Sequence, residues 1–212
     1  MWSNVEIPFS FFRERKRGCV AMKLLEERIL RDGKVFAGDV LKVDRFLNHR
    51  IDVDFLCELG KEFHRLYGNC GVNKILTVEA SGIGVACLTA QYFHCPVVFA
   101  KKSKTSNIGS DLWAATAHSY THGTDNTLVV SKEYLGEGDT VLILDDFLAN
   151  GCAAKALLSL CEQAGAKVVG VGTVIEKAYQ KGGDELRARG VRVESLARIA
   201  SMSQTDGIRF CD

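Results

Sequence analysis

The stretch Val141-Leu142-Ile143-Leu144-Asp145-Asp146-Phe147-Leu148-Ala149-Asn150-Gly151-Cys152-Ala153 decides how the rest of the chain is read. Four consecutive apolar residues predict a strand buried on both faces, which occurs mainly in parallel sheets covered by helices. Two adjacent carboxylates, Asp145 and Asp146, follow it. Open α/β sheets bind ligands in the crevice beyond the carboxyl ends of such strands. Ala149, Asn150, Gly151, Cys152 and Ala153 are then small residues that enter a helix, with Ala153, Ala156, Leu157, Leu160, Cys161 and Ala164 on its apolar face. A tight turn with unblocked N–H groups, leading into a helix N-terminus, favours a phosphate group. An acidic pair beside a phosphate cradle fits a sugar phosphate. Taken alone, the pair also fits a magnesium site of the receiver-domain kind, or a solvated turn.

The same order of strand, loop and helix recurs on both sides. Ile75-Leu76-Thr77-Val78 predicts a buried strand, Glu79-Ala80-Ser81-Gly82 its loop, and Val85, Leu88, Thr89 and Tyr92 one face of the next helix. Ser81 and Gly82 fit an anion-binding loop or a plain turn. Val97-Val98-Phe99-Ala100 predicts a second strand ending in Lys101-Lys102-Ser103-Lys104, a solvated face or a basic patch for a multiply charged anion. Residues 105–111 are polar, and 116–120 with 127–131 read as the strands of a hairpin. A strand over 168–175 ends in Glu176-Lys177, followed by a short helix over 184–189 and a strand over 191–196. This alternation predicts an α/β fold, a central parallel sheet with helices on both faces.

Toward the N-terminus, Leu24, Leu25, Ile29 and Leu30 predict a short amphipathic helix that Gly33 ends. Asp52 is placed to cap a helix carrying Leu56, Leu59, Phe63 and Leu66, with Gly68 at its end. Between the two, residues 40–48 alternate weakly. On their own terms Leu41 is a core residue and Asn48 a turn residue.

A chain of 212 residues suits one domain with a substantial core. With 47% hydrophobic residues, 25% charged and two prolines it reads as folded rather than disordered. The formal net charge of +1 argues against a bulk pull toward nucleic acid. No apolar run approaches the length of a membrane span. The eight cysteines form no C-x-x-C pair, and several sit in apolar runs, which predicts buried, reduced thiols and a reducing cytosol. Residues 1–21 differ from the rest: four aromatics precede Arg13, Arg15, Lys16 and Arg17, the reverse of a signal peptide. The expectation is that this extension comes from a start codon assigned too early, since Arg15-Lys16-Arg17-Gly18 can be encoded by a purine-rich ribosome-binding run.

The hydrophobic strand, the Asp-Asp pair and the small-residue loop together resemble the 5-phosphoribosyl 1-pyrophosphate (PRPP) motif of the type I phosphoribosyltransferases. Asp145-Asp146-Phe147-Leu148-Ala149-Asn150-Gly151 looks most like that of the xanthine phosphoribosyltransferases. The likeness extends to Leu41-Lys42-Val43-Asp44-Arg45-Phe46-Leu47-Asn48-His49, to Val78-Glu79-Ala80-Ser81-Gly82-Ile83 and to Val174-Ile175-Glu176-Lys177, so it covers about 22–212. It implies a single phosphoribosyltransferase domain over 22–212, with a flexible hairpin that closes over PRPP and an N-terminal hood over the base. The implied reaction is purine salvage, transfer of the phosphoribosyl group of PRPP to xanthine to give xanthosine 5'-monophosphate and pyrophosphate.

By the same resemblance Asp145 and Asp146 are catalytic, holding the ribose hydroxyls and offsetting positive charge on the ribosyl ring. Ala149, Asn150, Gly151, Cys152, Ala153, Ser81, Gly82 and Lys102 are placed around PRPP, Lys102 in some relatives reaching across a homodimer interface. Leu41, Asn48, Phe147 and Lys177 are placed around xanthine. Mg2+ accompanies PRPP, with no dedicated protein metal site, and the enzyme is expected in the cytoplasm with no membrane or nucleic-acid partner. Lys177, a donor only, matches O6 of a 6-oxopurine and opposes the amino group of adenine. Asn150 and Ala153 stand where many members have Thr, which leaves more of the phosphate binding to backbone amides. A transferase for guanine or hypoxanthine, and a non-catalytic PRPP-sensing regulator, are the alternatives.

Overall fold

The computed structural model describes residues 18–103, 110–118 and 125–211. Residues 1–17, 104–109, 119–124 and 212 lie outside the described residues, and with them most of the N-terminal extension, most of the polar stretch 105–111 and the end of the strand expected over 116–120. Helix α1 (Gly18–Asp32) spans the boundary at Met22 and ends at Gly33, whose N–H donates to Ile29 O at 2.8 Å. Leu25 and Ile29 are fully buried, whereas Leu24 and Leu30 are exposed. The expected apolar face is thus narrower than its leucines imply, a single i, i+4 stripe.

A small hairpin follows, β1 (Lys34–Phe36) and β2 (Val40–Lys42), and then one π-helical turn over Asp44–Asn48. These elements carry Leu41, Val43, Phe46 and Leu47 into the core. The Arg28 guanidinium lies 5.1 Å from the Phe46 ring centroid and 5.2 Å from that of Phe55, fastening α1 to this segment. Helix α2 (Val53–Tyr67) starts at Asp52, whose side chain accepts the Phe55 N–H at 3.3 Å, as the sequence predicts. Its deepest C-terminal residue is Tyr67 rather than Leu66. The ring is fully buried and its hydroxyl donates to Val171 O at 3.0 Å.

Then come β3 (Lys74–Val78), α3 (Ser81–Phe93), β4 (Val97–Ser103), β5 (Leu112–His118), β6 (Asp125–Ser131), β7 (Thr140–Leu148), α4 (Cys152–Gln163), β8 (Lys167–Lys177), α5 (Gly182–Ala188), β9 (Val193–Ser203) and β10 (Gly207–Phe210). One eight-stranded sheet runs in the order β10-β9-β8-β7-β3-β4-β6-β5. The strands from β9 to β4 pair in parallel, while β10 and the β5–β6 hairpin add antiparallel edges.

Strand β7 shows why an unbroken apolar run was needed. Leu142 and Leu144 join the core beneath α1, α2, α3 and the N-terminal segment, while Val141 and Ile143 join the core beneath α4 and α5. All four are fully buried. Alternation along the strand persists, but both faces lead to a core.

Several details differ from expectation. Strand β5 begins at Leu112, four residues before the expected start, and β9 runs on to Ser203 to pair with β10, which the polar tail concealed. On α4 it is Ala154 rather than Ala153 that is buried with Ala156, Leu157, Leu160 and Cys161. Seven described cysteines are free, but only Cys161 is buried and Cys87 is exposed, so the expectation of generally buried thiols fails. Small thiols are tolerated on outward helix faces because they cost little there. Among the described residues no helix is long and apolar enough to cross a membrane.

Candidate active site

A cavity of about 330 Å³ opens beyond the carboxyl ends of β3, β4 and β7. It gathers the acidic pair, the loop into α4, the β3–α3 loop, Lys102 and part of the hairpin. Asp145, Asp146, Phe147, Ala149, Asn150, Gly151, Cys152, Ala153, Ser81, Gly82 and Lys102 all line it, so the segments around Ser81, Lys102 and Asp145 meet there. Leu41, Asn48 and Lys177 do not line it.

Asp145 is almost wholly buried and accepts the Asp146 N–H at 2.9 Å, while Asp146 is half-buried. Burial, then the neighbouring Asp146 carboxylate, pushes the Asp145 carboxyl well above the ordinary carboxylate range, against the opposing Asp146 N–H and Lys102 charge. Two acids in unlike environments thus sit side by side, one biased toward its neutral form.

Gly82 is buried where α3 meets β3. A Cβ there would lie 2.2 Å from Thr77 Oγ1 and 3.2 Å from Asp145 Oδ1, so only glycine lets the β3–α3 loop lie against the acid. Thr77 is fully buried and its hydroxyl has no hydrogen-bond partner. The Glu79–Ala80 peptide in the same loop is cis. The Glu79 carboxylate accepts the Lys102 N–H at 2.6 Å and so joins β3 to β4 at the cavity edge.

Sequence reasoning missed Ala117, Asn126 and Leu128 in the lining. They come from β5 and β6: the resemblance implied a hairpin over PRPP, but nothing local in the sequence shows which of its residues face the cavity. Ala80 and Glu79 were within reach, since they belong to the loop already singled out.

The remaining expected residues lie toward the N-terminal segment. Lys177, at the end of β8, is half-buried and donates to the Asp39 backbone carbonyl in the β1–β2 turn. Burial holds its ammonium below the ordinary lysine value, against the Asp39 charge. Tyr179 is nearby, its phenol pushed up to about 12 by burial and then by Asp39, and so it stays neutral. Leu41 is buried in the core, and Asn48 keeps its side-chain oxygen buried without a partner.

Over residues 58–199 the sequence matches the family described as the phosphoribosyl transferase domain. The chain belongs to this family. Among curated members of the phosphoribosyl transferase family it is 53% identical over 181 residues to the xanthine phosphoribosyltransferase of Ruminiclostridium cellulolyticum, covering 85% of this chain and 95% of that one. It is 50% identical over 190 residues to xanthine phosphoribosyltransferase 2 of Clostridium botulinum, covering 89% and 100%. Among solved structures it resembles the adenine phosphoribosyltransferase of Trypanosoma brucei, solved with AMP, pyrophosphate and ribose-5-phosphate, with a TM-score of 0.69 over 82% of this chain and 79% of that one. At 17% identity that likeness speaks for the family fold alone.

Among the described residues no group of three or more His, Cys, Asp or Glu side chains could hold a metal ion. The two adjacent carboxylates could add hard oxygen ligands to a cation carried in by a phosphate substrate, but not complete its shell.

Proposed function

We propose that this chain transfers the 5-phosphoribosyl group of PRPP to xanthine, forming xanthosine 5'-monophosphate and releasing pyrophosphate. The observation that carries this reading is the cavity itself: an Asp-Asp pair, a small-residue loop at a helix N-terminus and a lysine-bearing strand end converge in a chain half identical to named xanthine phosphoribosyltransferases. Asp145 and Asp146 would add oxygen ligands to a Mg2+ ion held mainly by PRPP, which would neutralise charge on the pyrophosphate.

A purine ring nitrogen attacks C1 of PRPP, the C1–O bond breaks with its electron pair going to pyrophosphate, and the ring's N–H proton passes to solvent water. Positive charge builds on the ribosyl ring as that bond lengthens. Asp145 and Asp146, fixed at the end of β7, favour this charge more than the ground state, which is what lowers the barrier. The loop Ala149–Ala153 holds the 5'-phosphate through backbone N–H groups at the start of α4. Ser81 and Gly82 face the pyrophosphate, and Lys102 adds a cation on the same side.

For the base, Lys177 donates to O6, Asn48 offers a donor to O2, and Leu41 with Phe147 packs on the ring. Lys177 alone would accept guanine and hypoxanthine as well, so the choice of xanthine rests on Asn48. The enzyme works as a cytoplasmic homodimer in purine salvage. Incubation with PRPP, Mg2+ and radiolabelled xanthine, guanine, hypoxanthine or adenine should give xanthosine 5'-monophosphate fastest and adenosine 5'-monophosphate slowest. Absence of PRPP-dependent nucleotide from any base would overturn the reading.

A further inference from the structure

The loop that follows the acidic pair is held from behind by side chains outside the cavity. The Gly182 N–H donates to Ala149 O at 3.1 Å. Lys155 Nζ lies 3.2 Å from Asn150 O and 2.5 Å from the Glu185 carboxylate on α5. A trans peptide points its N–H opposite to its carbonyl, and the one cis peptide among the described residues, Glu79–Ala80, lies elsewhere. Fixing the Ala149 and Asn150 carbonyls therefore turns the N–H groups of Asn150 and Gly151 away from Gly182 and Lys155. Both residues line the cavity.

The fit behind the loop is close. A Cβ at Gly182 would lie 2.2 Å from Ala149 O and 2.5 Å from Gly151 N, so a side chain there would displace the loop. Helix α5 is itself fastened to the sheet, because Arg187 donates twice to buried Glu176, at 2.8 and 2.7 Å. Glu176 immediately precedes Lys177 on β8.

We propose that Lys155 and Glu185 are positioning residues for phosphate binding. Lys155 orients the Asn150–Gly151 peptide through its carbonyl, and Glu185 on α5 holds the lysine in place. Neither touches substrate. The loop has few hydroxyls and depends on amide direction, so this pair sets how well it receives the 5'-phosphate. The proposal rests on the PRPP reading of the cavity.

The test compares Lys155→Met, Glu185→Gln and the conservative Lys155→Arg with wild type. Loss of one charge-assisted hydrogen bond should raise KM for PRPP about tenfold in Lys155→Met. Glu185→Gln should give a smaller rise, kcat and KM for xanthine should stay within about twofold, and Lys155→Arg should recover most of the affinity. Calorimetric titration with ribose 5-phosphate reads the same loop without turnover. A wild-type protein that binds ribose 5-phosphate but makes no nucleotide would count against the transferase reading, and weaker binding by Lys155→Met would still support the brace. Unchanged KM for PRPP and unchanged ribose 5-phosphate binding in Lys155→Met would overturn the brace. An equal fall in all kinetic parameters, following lost thermal stability, would overturn it too.

Discussion

The ammonium of Lys177 donates to the main-chain carbonyl of Asp39, joining the end of β8 to the tip of the β1–β2 turn. An ammonium has three donors, so this bond fixes the side chain's direction and leaves others for a base carbonyl. Burial of Lys177 makes each of those donors count for more than at the surface.

Lys177→Ala should therefore raise KM for xanthine, guanine and hypoxanthine together, by on the order of 10²-fold, because a site built around a hydrogen bond loses much when one partner is missing. Asn48→Ala should raise KM for xanthine and leave hypoxanthine, which lacks O2, nearly as before. Competition kinetics with the four purines reads both. Unchanged xanthine kinetics in both variants would mean that other residues surround the base.

Asp145→Asn should lower kcat by about 10²-fold or more, because it removes a carboxyl that can ionise against the developing ribosyl charge. It should also stabilise the protein at neutral and higher pH. The raised Asp145 value means that the folded state binds a proton more tightly than the unfolded chain, so stability is lost as pH rises from 3.8 through the raised value. The variant escapes that loss. Thermal melts at pH 5 and pH 8 should show a gain over wild type that is larger at pH 8; a gain larger at pH 5 would contradict the assignment.

Glu176 has the opposite sign. Burial pushes its carboxyl up, but hydrogen bonds from Arg187 and Ser195 and the Arg187 and Arg198 charges outweigh this and hold it below its ordinary 4.5. That stability is present above pH 4.5 and is lost as pH falls through the depressed value. Removing the Arg187 guanidinium by Arg187→Met leaves a buried carboxylate with fewer donors and should cost on the order of 2–3 kcal/mol at pH 7. Chemical denaturation checks this.

Gly82→Ala should weaken PRPP binding because its Cβ would meet Thr77 Oγ1 at 2.2 Å. Thr77→Ala removes that atom. Since the hydroxyl has no partner, its loss costs little by itself, and Gly82→Ala with Thr77→Ala should recover part of the affinity. No recovery in the double variant would place the difficulty at Asp145 instead.

The buried contacts of α1, Leu25 and Ile29, lie after Met22. A chain begun at Met22 keeps both of these contacts and should hold turnover within about twofold and a similar melting temperature. Loss of activity on removing 1–21 would show that the extension belongs to the working protein.

Much of the sheet was legible because β3 and β7 are buried on both faces, which leaves an apolar run that no surface element would carry. The loop around Gly151 was legible for a related reason, since a bend at φ 74° between strand and helix calls for glycine. What escaped depends on distant partners. Strand β9 is buried at Val193, Leu196, Ala197 and Ile199 but exposed or half-exposed from Ala200 to Ser203, where it pairs with β10, so its second half reads as polar tail. Asn126 enters the cavity because β6 pairs with β4, and Lys155 meets Glu185 because α5 comes to rest beside it. Neither pairing has a local signal.

The N-terminal segment that carries Leu41 and Asn48 also supplies Leu41, Val43, Phe46 and Leu47 to the same core as α2 and α3. Selection for a new base cannot therefore exchange this segment like a cassette. If the proposed base contacts hold, each change in this segment is also a change in packing, and drift toward another purine should proceed by single substitutions at less buried positions such as Asn48, with the four apolar anchors retained.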